Sequence, residues 1–212
     1  MPTARVISVN RGQIKDLPGS GKSGQSAIDK RPISGEVAIG PLGLDGDEVA
    51  DKENHGGFEQ AVYVYAREDL DWWTEQLGRE LRNGIFGENV TTSGIDVSSA
   101  LIGEKWQLGS AVVQVTSPRI PCVVFRSWLD EPGWVKRFAS AGRPGAYLRV
   151  LTPGAVWAGA DLEVLSRPEL EVTVAEAMQA FYGDREIMSR LVQVEGRGAG
   201  WDEIAADQLS SA

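Results

Sequence analysis

Through the first 165 residues hydrophobic and polar positions alternate in short bursts. Arg5–Val9, Glu36–Ile39, Ala61–Tyr65, Trp106–Leu108, Ala111–Val115, Tyr147–Leu151 and Leu162–Leu165 are rich in β-branched and aromatic residues. Gly, Pro and Asp separate them, so each reads as a strand between turns. Gly109-Ser110 joins two of these runs with the two-residue spacing of a tight hairpin. Many short strands with such punctuation predict a barrel or a sandwich. Two stretches change to helical spacing. Arg67–Leu81 places Leu70, Trp73 and Leu77 on one face, and Gly133–Ala141 carries Trp134, Val135 and Phe138 before a stop at Gly142. The tryptophans here read as core residues.

The pattern changes again after Arg167-Pro168. Thr173-Val-Ala-Glu176 has the spacing of a capping box and opens a helix through Met178, Phe181 and Tyr182. Asp184 is placed to cap a second helix with Ile187, Met188, Leu191 and Val192 on one side. A glycine-rich link, Gly196–Gly200, leads to a third, Trp201–Leu209. The chain is therefore read as a mainly β domain over residues 1–167 and a three-helix segment over 168–212.

Composition narrows the function. The chain has 212 residues and a formal charge of −9, which argues against a nucleic-acid polymer as partner, because such binding neutralises many phosphates with Lys and Arg. Met1–Arg5 leads straight into a strand pattern, so no secretory leader is expected. No apolar run approaches the roughly 18 residues of a spanning helix, so no membrane association is expected. With one cysteine and no internal disulfide to form, the expectation is a cytoplasmic protein.

That cysteine, Cys122, carries the most chemistry. It ends the run Pro118-Arg119-Ile120-Pro121-Cys122, directly after a strand. A thiolate is a soft metal ligand, and a nearby guanidinium favours it over the thiol. Residues three apart face opposite sides of a strand but the same side of a polyproline helix, so pairing Arg119 with Cys122 requires this segment to leave the ladder. Free cysteine is also a common inert core residue, and that reading stands beside the first.

Three further segments qualify. His55-Gly56-Gly57 offers the only histidine beside two glycines whose amides can form an anion nest. Asp45, Asp47 and Asp51 precede it, but an EF-hand would need a glutamate where His55-Gly56 falls, so calcium is not favoured. Gly84–Thr92 contains Gly87 for close approach, with Glu88 and Asn89 as acceptor and amide. Lys22, Lys30, Arg31 and Lys52 offer counter-charges for an anion. A Cys122–His55 nucleophilic pair is conceivable, without any local protease signature. There is no P-loop or dinucleotide fingerprint, and one cysteine with one histidine excludes an ordinary structural zinc site.

In their order along the chain these motifs resemble the MOSC domain family, named for the C-terminal domain of molybdenum cofactor sulfurases, in its YiiM-like bacterial branch. The matching residues include Ala27–Pro32, Gly43–Asp47, His55–Gly57, Ala61–Tyr65, Phe86–Asn89, Pro118–Cys122 and Gly142–Leu151. The resemblance covers nearly all of residues 1–167, and the helices after 172 are similar to a segment found in this branch.

It implies a closed β-barrel of pyruvate-kinase-barrel type with peripheral helices, binding molybdenum cofactor (molybdopterin). Cys122 would be the metal ligand or sulfur acceptor. His55 and Glu88 would move protons, and Lys30, His55, Gly56, Gly57, Gly87, Asn89 and Arg119 would hold the cofactor. The implied activity is reduction of N-hydroxylated compounds, including hydroxylated purine bases, with electrons from a partner protein; a non-catalytic cofactor carrier or sulfur-transfer module is the alternative. The chain has no room for a pyridoxal-phosphate desulfurase domain. It departs from the family pattern at Gln60, Ile120 and Val124, where charged or polar residues are common.

Overall fold

A computed structural model describes residues 4–20, 24–52 and 55–210. The architecture is mixed α+β and mainly sheet, with six α-helices among the described residues. The strands are β1 (Arg5–Arg11), β2 (Lys15–Asp16), β3 (Gln25–Ser26), β4 (Arg31–Ile33), β5 (Val37–Gly40), β6 (Gly43–Leu44), β7 (Val62–Ala66), β8 (Val90–Ser93), β9 (Lys105–Leu108), β10 (Ala111–Pro118), β11 (Ala146–Thr152), β12 (Gly154–Val156) and β13 (Leu162–Ser166). The helices are α1 (Arg67–Leu77), α2 (Val123–Leu129), α3 (Trp134–Ala141), α4 (Val174–Phe181), α5 (Arg185–Leu191) and α6 (Gly200–Ser210).

Eight strands form the main sheet in the order β13-β9-β10-β11-β7-β8-β1-β4. Every pair in it is antiparallel except β7 with β8. A parallel pair needs a crossover, and α1 lies within the one that joins β7 to β8. The ladder runs from β13 to β4, and backbone bonds also join the start of β1 to the segment that leads into β13. Val6 N–H donates to Ala160 O at 2.8 Å, Gly159 N–H to Val6 O at 2.8 Å and Leu162 N–H to Ala4 O at 2.9 Å.

β7 explains where the site lies. Its period-two pattern sends Val62, Val64 and Ala66 into one apolar core and Tyr63 and Tyr65 into a second. The first core is aliphatic and lies against the sheet. The second is aromatic and holds α1, α2 and α3 through Leu70, Trp73, Phe86, Phe125, Trp134 and Phe138, all buried. Trp73, Trp106 and Trp134 are fully buried, as a core role requires.

The expected helices form with changed bounds. α1 ends at Leu77 rather than continuing to Leu81, because Gly78 adopts a left-handed φ of 63° and stops it. α2 is not apparent from the pattern, since a Val-Val pair straight after a strand reads as more strand; Phe125 and Leu129, one turn apart, nevertheless bury its inner face. In the C-terminal part the capping box closes as expected, with Thr173 Oγ1 accepting from Glu176 N–H at 3.1 Å and Glu176 Oε2 accepting from Thr173 N–H at 2.8 Å. Asp184 caps α5 through Ile187 N–H at 3.0 Å. Val174, Ala177, Met188, Leu191 and Trp201 share the sheet's aliphatic core, so the three helices are packed onto the β structure through apolar contact.

Candidate functional site

β10 ends at Pro118, and residues 119–122 leave the ladder before α2 begins. Cys122 is the residue that flanks the helix, in extended conformation (φ −119°, ψ 177°). This exit from the sheet is what allows Arg119 and Cys122 to face the same space. They line one cavity of about 980 Å³ together with Lys30, His55, Gly56, Gly87 and Asn89.

Burial and three neighbouring groups act on the thiol. Burial disfavours its charge, but a hydrogen bond from the His55 imidazole and the nearby Arg119 guanidinium favour it, and the net effect lowers its pKa from about 9 to about 7. The Phe125 N–H at the start of α2 adds to the same effect, without closing a regular capping bond. About half the cysteine is therefore thiolate at neutral pH. Alkylation of Cys122 by iodoacetamide should reach half its limiting rate near pH 7, and in His55→Ala the midpoint should rise toward the ordinary thiol value of about 8.5. Coincident midpoints would show that the imidazole does not act on the thiol.

Arg119 is buried beneath the cavity. Its Nη1 donates to the Tyr147 hydroxyl at 2.9 Å, and its guanidinium lies 4.5 Å from the Phe125 ring centre and 5.1 Å from that of Tyr63. Burial works against the charge, but Tyr147, Tyr63 and Cys122 around it keep the guanidinium more firmly protonated than usual. Its Nε is buried and donates to no group among the described residues.

Lys30 and Asn89 converge on Asp47. Lys30 Nζ lies 2.5 Å from both Asp47 oxygens, and Asn89 Nδ2 donates to Asp47 Oδ2 at 2.8 Å. Asn89 Oδ1 also accepts from Tyr63 N–H at 3.1 Å. Both residues thus line the cavity as parts of a satisfied polar frame, and Lys30 does so as a paired cation. Burial lowers its pKa, with Asp47 opposing. His55 Nδ1 faces Asp51 Oδ2 at 3.6 Å.

Two expected residues are elsewhere. Gly57 starts the 3-10 turn Phe58–Gln60 and does not line the cavity, whereas Gly56 does; both have φ of 76°, which favours glycine. Glu88 is fully buried behind the loop. Its carboxylate accepts from Gly84 N–H, from Phe86 N–H at 3.0 Å and from Thr91 Oγ1 at 3.0 Å, so it holds the loop shut and does not reach the cavity. Of the four basic residues noted, Lys30 and Lys52 line the cavity, Arg31 pairs with Asp29 at 2.7 Å, and Lys22 lies outside the described residues.

Sequence reasoning did not single out Tyr63, Tyr147, or Asp47 and Asp51 as anchors. The alternation in β7 marks Tyr63 as facing away from Val62, but only the pairing of β7 with β11, which sets Tyr147 opposite Tyr63, brings the two rings to Arg119. Among the described residues no group of three or more His, Cys, Asp or Glu side chains could hold a metal ion.

A family model described as the MOSC domain matches residues 51–163. Protein YiiM of Escherichia coli is 33% identical over 201 residues, covering 92% of this chain and 88% of that one. A protein named "Reductase" from Gibberella moniliformis is 33% identical over 167 residues, which are 77% of this chain but 29% of the fungal one. The crystal structure of YiiM from Geobacillus stearothermophilus superposes with a TM-score of 0.81 at 28% identity, over 97% of this chain and 99% of that one.

Proposed function

The chain belongs to the MOSC domain family, in its YiiM-like branch, and from that premise we propose that it binds molybdenum cofactor around Cys122 and reduces N-hydroxylated compounds. Hydroxylated purine bases are the substrates the family resemblance suggests, and the electrons come from a partner protein in the cytoplasm. One observation carries the reading: the chain's only cysteine opens onto the cavity as a thiolate-leaning side chain beside a buried arginine.

The residues fit the group. A single soft ligand suits a metal that arrives with ligands of its own, as one held by a pterin dithiolene does. Arg119, whose Nε lacks a partner among the described residues, supplies positive charge under the same cavity. Cys122 Sγ would bind the metal, while Arg119 and the Gly56 and Gly87 backbone would hold the anionic pterin portion. When bound, the cofactor supplies a two-electron centre for oxygen transfer.

The chain's residues do the rest. Reduction of an N–OH bond takes two electrons and two protons and releases water. His55, with Nδ1 turned to Asp51, is the cavity group placed to move a proton. The fungal relative named a reductase supports redox chemistry, and its greater length leaves room for a further module. The family premise also implies a closed barrel, for which the bonds between residues 4–6 and 159–162 would be the seam. No helix among the described residues is long and apolar enough to cross a membrane.

Protein from a cofactor-competent host, given a chemical electron donor, is expected to convert a hydroxylamine to the amine. Bound molybdenum without such turnover would point to the carrier reading, and absence of both metal and pterin would overturn both.

A further inference from the structure

The cavity has two differently built parts. Around its base the polar groups are paired, Lys30 with Asp47 and Asn89 with Asp47. Farther out, beside the exposed Gln25, Glu48 and Lys52, the lining includes aliphatic side chains from two chain segments. The turn between β5 and β6 and the loop after it supply Leu42, Val49 and Ala50, while the segment around the thiol supplies Ile120, Val123 and Val124. Leu42 is 71% exposed and Val123 41% exposed, so both have apolar surface left for a ligand to cover.

Charge in the lining is balanced rather than cationic. Lys30, Lys52 and Arg119 are set against Asp47, Glu48 and Asp51. Arg119 is the buried cation with no carboxylate bonded to it, and under the proposed function it is committed to the thiolate and the cofactor's anion. A second anion entering the cavity would find Lys30 already paired with Asp47 and Lys52 set among Glu48 and Asp51, so the lining offers it no net positive charge.

We propose that Leu42 and the Ile120–Val124 wall select N-hydroxylated substrates whose body is uncharged over those carrying a carboxylate or phosphate. The inference rests on the proposed function for its reacting group and on the cavity lining for its selectivity. Covering partly exposed Leu and Val side chains contributes roughly 25 cal/mol per Å² of apolar surface removed from water. Bringing an unpaired carboxylate against the same wall costs desolvation without return.

Benzamidoxime and its 4-carboxy derivative present the same N–OH group and differ in the charge of the body. For the cofactor-loaded protein, kcat/KM is expected to be at least tenfold higher for benzamidoxime, with the difference in KM. Calorimetry with benzamide and 4-carbamoylbenzoate, which lack the N–OH bond, should show the same order of affinity. In the double variant Leu42→Lys, Val123→Lys both ratios should collapse or invert. Both positions are exposed, and retention of the fold is checked by circular dichroism. Equal or reversed preference in the unmodified chain would overturn the wall, even if both amidoximes are reduced. Selective binding of benzamide with neither amidoxime reduced would sustain the wall and defeat the proposed reaction.

Discussion

Cys122→Ala protein purified from a cofactor-competent host is expected to carry less than about a tenth of the molybdenum found in the unmodified chain, with its thermal midpoint nearly unchanged. Losing a tenfold affinity corresponds to about 1.4 kcal/mol, a modest demand for removal of the only soft ligand in the cavity. Folding should tolerate the change, because Cys122 is only partly buried and closes no regular capping bond on α2. His55→Ala should fall between the two, since it leaves the thiol ligand in place and removes only a group that orients it. Arg119→Lys keeps a charge but loses the planar group stacked between Phe125 and Tyr63, so it should also retain less metal. Metal content by mass spectrometry checks all three variants. Full metal in Cys122→Ala would remove the thiolate from the site and the proposed function with it.

Some of this site is legible in the chain and some is not, for definite reasons. The prolines of the Pro-Arg-Ile-Pro-Cys run favour a polyproline turn in which Arg119 and Cys122 share a side, because proline restricts both its own backbone and that of the residue before it. The strand alternation in Ala61–Tyr65 shows two faces, and the structure uses both. The thiol's partner His55 lies 67 positions away along the chain, and no local pattern can join them. α2 escapes notice because cysteine is an uncommon helix-flanking residue and its first two residues are β-branched. Asp47 reads as one of several acids in a turn. Its work, holding Gly12 N–H, Lys30 and Asn89 at once, depends on the β1–β4 region folding back over the loop. Residue type announces that a group can do chemistry. Which way it faces is decided by contacts distant in sequence.

Glu88 tests that distinction. Glu88→Ala is expected to destabilise the protein by about 3–5 kcal/mol, because the Gly84 and Phe86 amides and the Thr91 hydroxyl would lose a buried acceptor at roughly 1–3 kcal/mol each, offset in part by relaxation. The loop has little freedom to recover. Gly84 has a φ of 79°, and a Cβ placed there would lie 2.5 Å from the Lys30 carbonyl oxygen, so the loop is already packed tightly against the Lys30 backbone. Burial pushes the Glu88 pKa up while these donors hold it down, as befits a carboxylate used for its lone pairs. Glu88→Gln retains one acceptor oxygen but turns an amide N–H₂ toward a backbone donor, so about 2 kcal/mol should be lost, as judged by the cost of one unsatisfied buried group. Urea unfolding of the two variants gives both values, and reduction assays on the folded fraction separate structure from chemistry. A buttress predicts that turnover per folded molecule survives in Glu88→Gln, with loss confined to stability. If stability is kept and turnover is lost, Glu88 acts on protons despite its position behind the loop, and the assignment of that task to His55 fails.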